Sequence, residues 1–383
     1  MYRLFTFLLL LSCSAYFNAK SQTPNYVAVH TAEQIPWQHY TPFDKRFIVA
    51  GEAHHVSSIF PFQLSHLEFL VTKGFRNLVW EMPYSYSLIG QQYILTGNDS
   101  LLQFIAWSQE DSVYWKSVYQ LNKTLPEGDK LHLWGIDIEL AENVSGGAYR
   151  TRLFKKAFFL LREGRGIPPP SLQQEFVVLD TSTSAATAIE VKHRLQKLKD
   201  NPEVAIFFGE RLPDFIILVN RLDYFKALRN GNMLDAFREI CSFYHLDSTA
   251  KFLGRFGWGH TDKSYKKSMS FLLENDPYSP VKNSTYVIGV QFLNCTSWSA
   301  DKKIVLENYG IVDDRSQKQT LATINQQDSS PIKIFTWPLD EKRKGWAKAA
   351  DVLFVFSGYP AITPRKLNKD VSDGNAPNSD FAQ

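Results

Sequence analysis

The chain is poor in sulfur, with three cysteines and four methionines in 383 residues. So few cysteines cannot build a disulfide scaffold, and none has the paired spacing of a thiolate zinc site. An excess of one charge is also missing, because 42 Lys plus Arg face 39 Asp plus Glu for a net charge of +3. So even a balance offers no basic face to nucleic acid or to a membrane surface. The apolar run Leu4 to Leu11 is too short to span a bilayer, and no later run is long enough. The chain has no phosphate loop of the GxxxxGKS kind, no GxGxxG after a strand, no HExxH and no GxSxG elbow. Their absence argues against nucleotide-cradling loops, zinc-protease helices and a serine nucleophile on an α/β-hydrolase sheet.

What is present is an ordinary globular composition, 44% hydrophobic and 14% aromatic, which suits deep cores and an aromatic-lined cleft. Met1-Tyr2-Arg3 before the apolar run, and Ala19-Lys20-Ser21 after it, predict a signal peptide over residues 1–21 with cleavage before Gln22. The competing reading takes Leu10-Leu11-Ser12 as a lipobox and acylates Cys13. Either way the protein is expected to be exported, periplasmic or secreted, with a lipid anchor at Cys13 as the alternative to a free chain. Cys241 and Cys295 then remain, either as one disulfide or as two buried thiols.

Apolar periodicity predicts an α/β fold, a mostly parallel sheet flanked by helices with a large α-helical lobe inserted in the middle. Arg46 to Ala50 reads as a strand ended by Gly51, a helix opens at Pro61 and runs to Gly74, and Asn77 to Trp80 is a second strand. That strand–helix–strand unit predicts two parallel strands lying side by side. Residues 84–124 are predicted helical with breaks near Gly97 and Glu110, and Leu131 to Asp137 is a third strand. The core's first part covers 22–141, the helical lobe 142–250 lies over one edge of the sheet, and the second part covers 251–365. Strands are expected at Phe252 to Trp258, Tyr286 to Phe292, Ile332 to Trp337 and Val352 to Phe356. The polar tail 366–383 is expected to be disordered.

Open α/β sheets bind ligands at the carboxyl ends of their strands. The first strand delivers Glu52, His54 and His55 there, the second delivers Glu81, and the third delivers Asp137 and Glu139. His260 joins them if its strand belongs to the same sheet. A histidine flanked by carboxylates suits a general base near neutral pH, because the acid sets its tautomer and steadies the imidazolium. Single carboxylates at strand ends also serve as caps and loop anchors, so Glu81, Asp137 and Glu139 carry less weight than the cluster Glu52, His54 and His55. The chemistry expected is water activation, by histidine or by a metal.

Gly51-Glu52-Ala53-His54-His55 after a strand, then Val79-Trp80-Glu81, Trp134-Gly135-Ile136-Asp137 and Trp258-Gly259-His260, together resemble the erythromycin esterase family. The likeness runs over roughly residues 45–365 and rests on the order and spacing of the motifs. It implies a hydrolase of an ester or lactone using direct water attack, with a small-molecule substrate and no cofactor. By that carry-over Glu52 is the essential glutamate, His55 the base, Glu81 the second acid, and His260 the residue at the substrate carbonyl or oxyanion; the bare sequence leaves His54 or His55 open as the base, and His54 and Asp137 are candidates to bind substrate. The chain departs from the family where a second late histidine is often found and Lys263 stands instead. The wider superfamily implies two alternatives. One is a metal-dependent hydrolase or peptidase of the Tiki/TraB type, with a divalent ion held by Glu52, His54 or His55, and His260. The other is a haem- or ligand-binding protein of the ChaN type.

Overall fold

Nine strands form one sheet in the computed structural model, which describes residues 25–139, 147–182, 184–220, 229–299, 302–336 and 345–364. The predicted signal peptide, the Cys13 anchor and the tail 366–383 lie outside the described residues. The strands are β1 (Tyr26–Val29), β2 (Phe47–Glu52), β3 (Asn77–Pro83), β4 (His132–Asp137), β5 (Phe252–Gly257), β6 (Thr285–Ser299), β7 (Lys302–Gly310), β8 (Ile332–Thr336) and β9 (Val352–Ser357). Their order is β1-β8-β9-β6-β2-β5-β3-β4, with β7 paired to β6. From β9 to β4 every neighbouring pair is parallel, while β1, β7 and β8 join antiparallel.

The parallel strands are near-continuous apolar runs because helices cover both faces. On β2, Phe47 and Val49 enter one buried cluster and Ile48 enters the other, as period-two alternation requires. Helices Ile59–Val71, Tyr84–Thr96 and Gln109–Thr124 contribute to the Ile48 side. Pro61 sits in the first turn of helix Ile59–Val71, where its missing N–H costs nothing. Every regular element described between β4 and β5 is a helix, from Gly147–Arg162 to Arg229–Phe243.

Three expectations need correction. β2 and β3 are parallel but not adjacent, because β5 lies between them and pairs with both. The local βαβ pattern cannot reveal a strand that arrives from far along the chain. The lobe also packs onto a sheet face rather than only an edge: Phe237 stands edge-on to Phe47 at 5.3 Å and to Phe252 at 5.0 Å, over the central strands. Third, the four-residue β1, the strand β7 and helices Met269–Asn275 and Arg315–Gln327 are elements that the apolar runs above do not mark.

Cys241 and Cys295 are both buried and unpaired, which removes the disulfide alternative. Burial pushes the Cys241 thiol up to about 12 and the Cys295 thiol up to about 11. A thiolate is the reactive form, so neither cysteine should react with a disulfide reagent in the native protein, and both should react in denaturant. Rapid native labelling would contradict this packing. No helix among the described residues is long and apolar enough to cross a membrane.

Candidate functional site

The insertion of β5 assembles the site. Glu52, the last residue of β2, faces Gly257, the last residue of β5, in register. The buried Glu52 carboxylate accepts from Gln63 Nε2 at 2.6 Å and from Arg255 Nε on one oxygen, and meets His54 Nδ1 at 2.9 Å on the other. Burial alone would raise its pKa, but the Arg255 charge and the His54 hydrogen bond outweigh it and hold the carboxyl well below its usual range. Arg255 lies among the rings of Trp80, Phe60 and Tyr114, at 4.7, 5.4 and 5.5 Å from their centroids.

Glu81 approaches Gly257 from the β3 side. Its Oε2 accepts the Gly257 N–H at 2.8 Å, and its Oε1 accepts from Arg229 and lies 3.0 Å from His260 Nε2. Against burial, which raises its pKa, His260 and Arg229 bring it down to about 2. The other ring nitrogen of His260 meets Asn230 Oδ1. Arg229 also reaches both oxygens of Asp137 at 3.0 Å each, and Arg150 adds a contact to Asp137 at 3.2 Å. Burial opposes ionisation of Asp137 too, yet the two arginines hold its pKa far down. Asp137 and Glu81 are therefore bridged by Arg229.

His54 stands between the two glutamates. A methyl group at Gly257 would come 3.2 Å from both His54 Nε2 and Glu81 Oε2, so the missing side chain keeps a shared space open between them. Burial lowers the His54 pKa, but the hydrogen bond and charge of Glu52 raise it by more. His55 differs. Its backbone is left-handed at φ 67°, a conformation costing roughly 1–2 kcal/mol for a non-glycine residue. Its carbonyl accepts the Ile362 N–H at 3.0 Å, which ties the turn to the closing segment of the chain. Its ring stacks near Trp107 at 6.1 Å, and burial, with the neighbouring His54 charge, pulls its pKa down to about 4. His55 is thus neutral at pH 7.

Glu52, His54, His55 and Glu81 open onto one cleft, whose empty space, mouth included, is about 650 Å³. Its walls include Phe60, Trp80, Tyr86 and Trp107, with Asp111 and Arg255 among the polar groups. His260, Arg229 and Asp137 stand outside that lining, behind Glu81. Glu139 is buried away from it, accepting the Ser85 N–H at 3.1 Å, and burial raises its pKa. Lys263 points elsewhere, paired with Asp351 at 2.8 Å.

Sequence reasoning missed Arg229, Arg255, Asp111 and Gln63. Arg255 had a readable signal, since an arginine inside the apolar run Phe252-Leu253-Gly254-Arg255-Phe256 needs a buried partner. Asp111 looks in sequence like a helix-capping residue, and nothing local marks Arg229. The donor set does not fit a divalent ion. The oxygens of Glu52 and Glu81 are already engaged by Gln63, Arg255, Arg229 and the Gly257 N–H, and two arginine charges would repel a dication. Among the described residues no three His, Cys, Asp or Glu side chains stand at ligating distances.

No known family profile matches the chain, and neither does any curated protein. Solved structures do resemble it. A succinoglycan biosynthesis protein superposes with a TM-score of 0.60 at 15% identity, over 90% of this chain and 96% of its own. A Bacillus cereus protein gives 0.57 at 14% identity, over 89% of this chain and 97% of its own. A histidine-to-asparagine variant of an erythromycin esterase in its open conformation gives 0.54 at 14% identity, over 90% of this chain and 100% of its own. The chain shares the α/β architecture of these proteins across almost its full length.

Proposed function

We propose that the protein is a hydrolase that cleaves an ester, lactone or related acyl bond by attack of a histidine-activated water. The observation that carries this reading is the Glu52–His54 pair, with Nε2 of the histidine facing Glu81 across the space left by Gly257. Glu52 fixes the proton on Nδ1, so Nε2 is the ring nitrogen that takes a proton from water as the water oxygen adds to the substrate carbonyl. Glu81 accepts the water's second hydrogen and orients it. The neutral His55, set against Trp107, offers an N–H to the oxyanion that forms on the carbonyl oxygen.

The family resemblance puts the base at His55 and the carbonyl contact at His260. The hydrogen bonds favour a different division, in which His54 is the base and His260 holds Glu81 in position. The fold shared with an erythromycin esterase supports a hydrolase, while Lys263, standing where that family often has a second late histidine, gives no support to a macrolide substrate. The test is hydrolysis of a panel of esters and lactones with and without excess chelator. Hydrolysis that persists under chelation is expected. Activity that vanishes with chelator and returns with a divalent ion would overturn the metal-free mechanism.

A further inference from the structure

Asp111 occupies the first turn of helix Gln109–Thr124. Its backbone N–H donates to Ser108 Oγ at 2.9 Å, and its Oδ2 accepts the Trp107 N–H at 3.0 Å. Those contacts complete the helix cap without using the other oxygen. Oδ1 has no hydrogen-bond partner among the described residues, although Asp111 is only 5% exposed. The residue lines the same cleft as His54 and His55. A bare carboxylate oxygen against aromatic walls costs about 1–3 kcal/mol or more, so a cap alone does not account for an acid there.

We propose that Asp111, a cleft-lining carboxyl whose Oδ1 has no partner among the described residues, is the acid of the hydrolytic step and delivers a proton to the leaving oxygen. This rests on the hydrolase reading above. The step balances as follows. Water loses one proton to His54 and forms a bond from its oxygen to the carbonyl carbon. The tetrahedral intermediate then breaks its bond to the alcohol oxygen, which takes the proton from Asp111 and leaves as the alcohol. His54 and Asp111 return to their starting states by net transfer of one proton between them through water.

The electrostatics supply an acid in the right form. Burial raises the Asp111 pKa to about 7, against the pull of Arg255 and the Trp107 N–H and with the help of the Glu52 and Glu110 charges. The remaining titratable groups that face it are Tyr86, Tyr114 and Tyr149, all of which stay neutral because burial raises their pKa. A substantial share of the carboxyl is therefore protonated at neutral pH.

An acid matters only when the departing oxygen is too basic to leave unaided. The experiment compares wild type and Asp111→Asn on two esters of one acyl group, an alkyl ester and its p-nitrophenyl counterpart. Asparagine keeps an acceptor for the Trp107 N–H, and thermal melting checks the fold. The alkyl ester is expected to lose about 10²-fold or more in kcat/KM, with the nitrophenyl ester unchanged to within about threefold. In wild type alone, the ratio of the alkyl rate to the nitrophenyl rate should fall as pH rises through about 7, because the His54 base is common to both esters and cancels. This second reading serves if the variant fails to fold. Equal losses on both esters, an undiminished alkyl rate, or matching pH profiles would overturn the acid role and leave the hydrolase intact. A wild type inert on every ester tested would overturn the hydrolase reading itself.

Discussion

His54→Ala is expected to lower kcat by about 10²–10⁴ on any ester the protein cleaves, with little change in KM. The loss follows from the tautomer: with Nδ1 held by Glu52 at 2.9 Å, Nε2 is the nitrogen that serves as base in the proposed mechanism. Glu52→Gln should cost nearly as much, because a glutamine can present its N–H and hold the wrong tautomer. The two residues act as one unit, so the double variant should be barely worse than either single one. His55→Ala should fall less steeply, since it removes an oxyanion donor and leaves the base. Steady-state kinetics on the four variants decides the matter. Full activity in His54→Ala beside a collapse in His55→Ala would return the base to the position that the family resemblance gives it.

The second large effect is on stability. Arg255→Met is expected to cost about 3–5 kcal/mol, the usual penalty for leaving one member of a buried ion pair without its partner. The arginine is caged by Trp80, Phe60 and Tyr114, and its partner Glu52 is 7% exposed. Methionine keeps most of the packing, so the loss would report the stranded charge. Adding Glu52→Gln to Arg255→Met should recover most of it, and urea unfolding of the four proteins measures the coupling. The pH dependence has a definite sign. Glu52 has a depressed folded pKa, so the stability it lends is present above its ordinary value of 4.5 and is lost as pH falls below that. The gap between wild type and Arg255→Met should thus be full at pH 7 and shrink in acid. A gap that is constant with pH, or a double variant no better than the single, would mean that packing around the arginine matters and its charge does not.

Much of this molecule was legible from the residues alone. Runs such as Phe47-Ile48-Val49-Ala50 and Val352-Leu353-Phe354-Val355-Phe356 announce buried strands by composition, and glycine or a carboxylate ends them. The helical character of the middle of the chain is equally local, written in apolar spacing. The same patterns put Glu52, His54, His55 and Glu81 at strand ends, and all four open onto the cleft. These features depend on near neighbours, so they survive reading one residue after another.

Which strands lie side by side depends on hydrogen bonds between segments far apart in sequence, and no local pattern encodes that. Only the folded sheet slides β5 between β2 and β3, and with it come Gly257, whose missing side chain opens the space between His54 and Glu81, and Arg255, whose charge holds Glu52. Only the lobe's return brings Arg229 to Glu81 and Asp137. The sequence by itself determined the element types and the residues able to do acid–base chemistry. The tertiary structure decided which histidine meets which carboxylate, because partners, burial and proton affinity are set by what packs against a group in space.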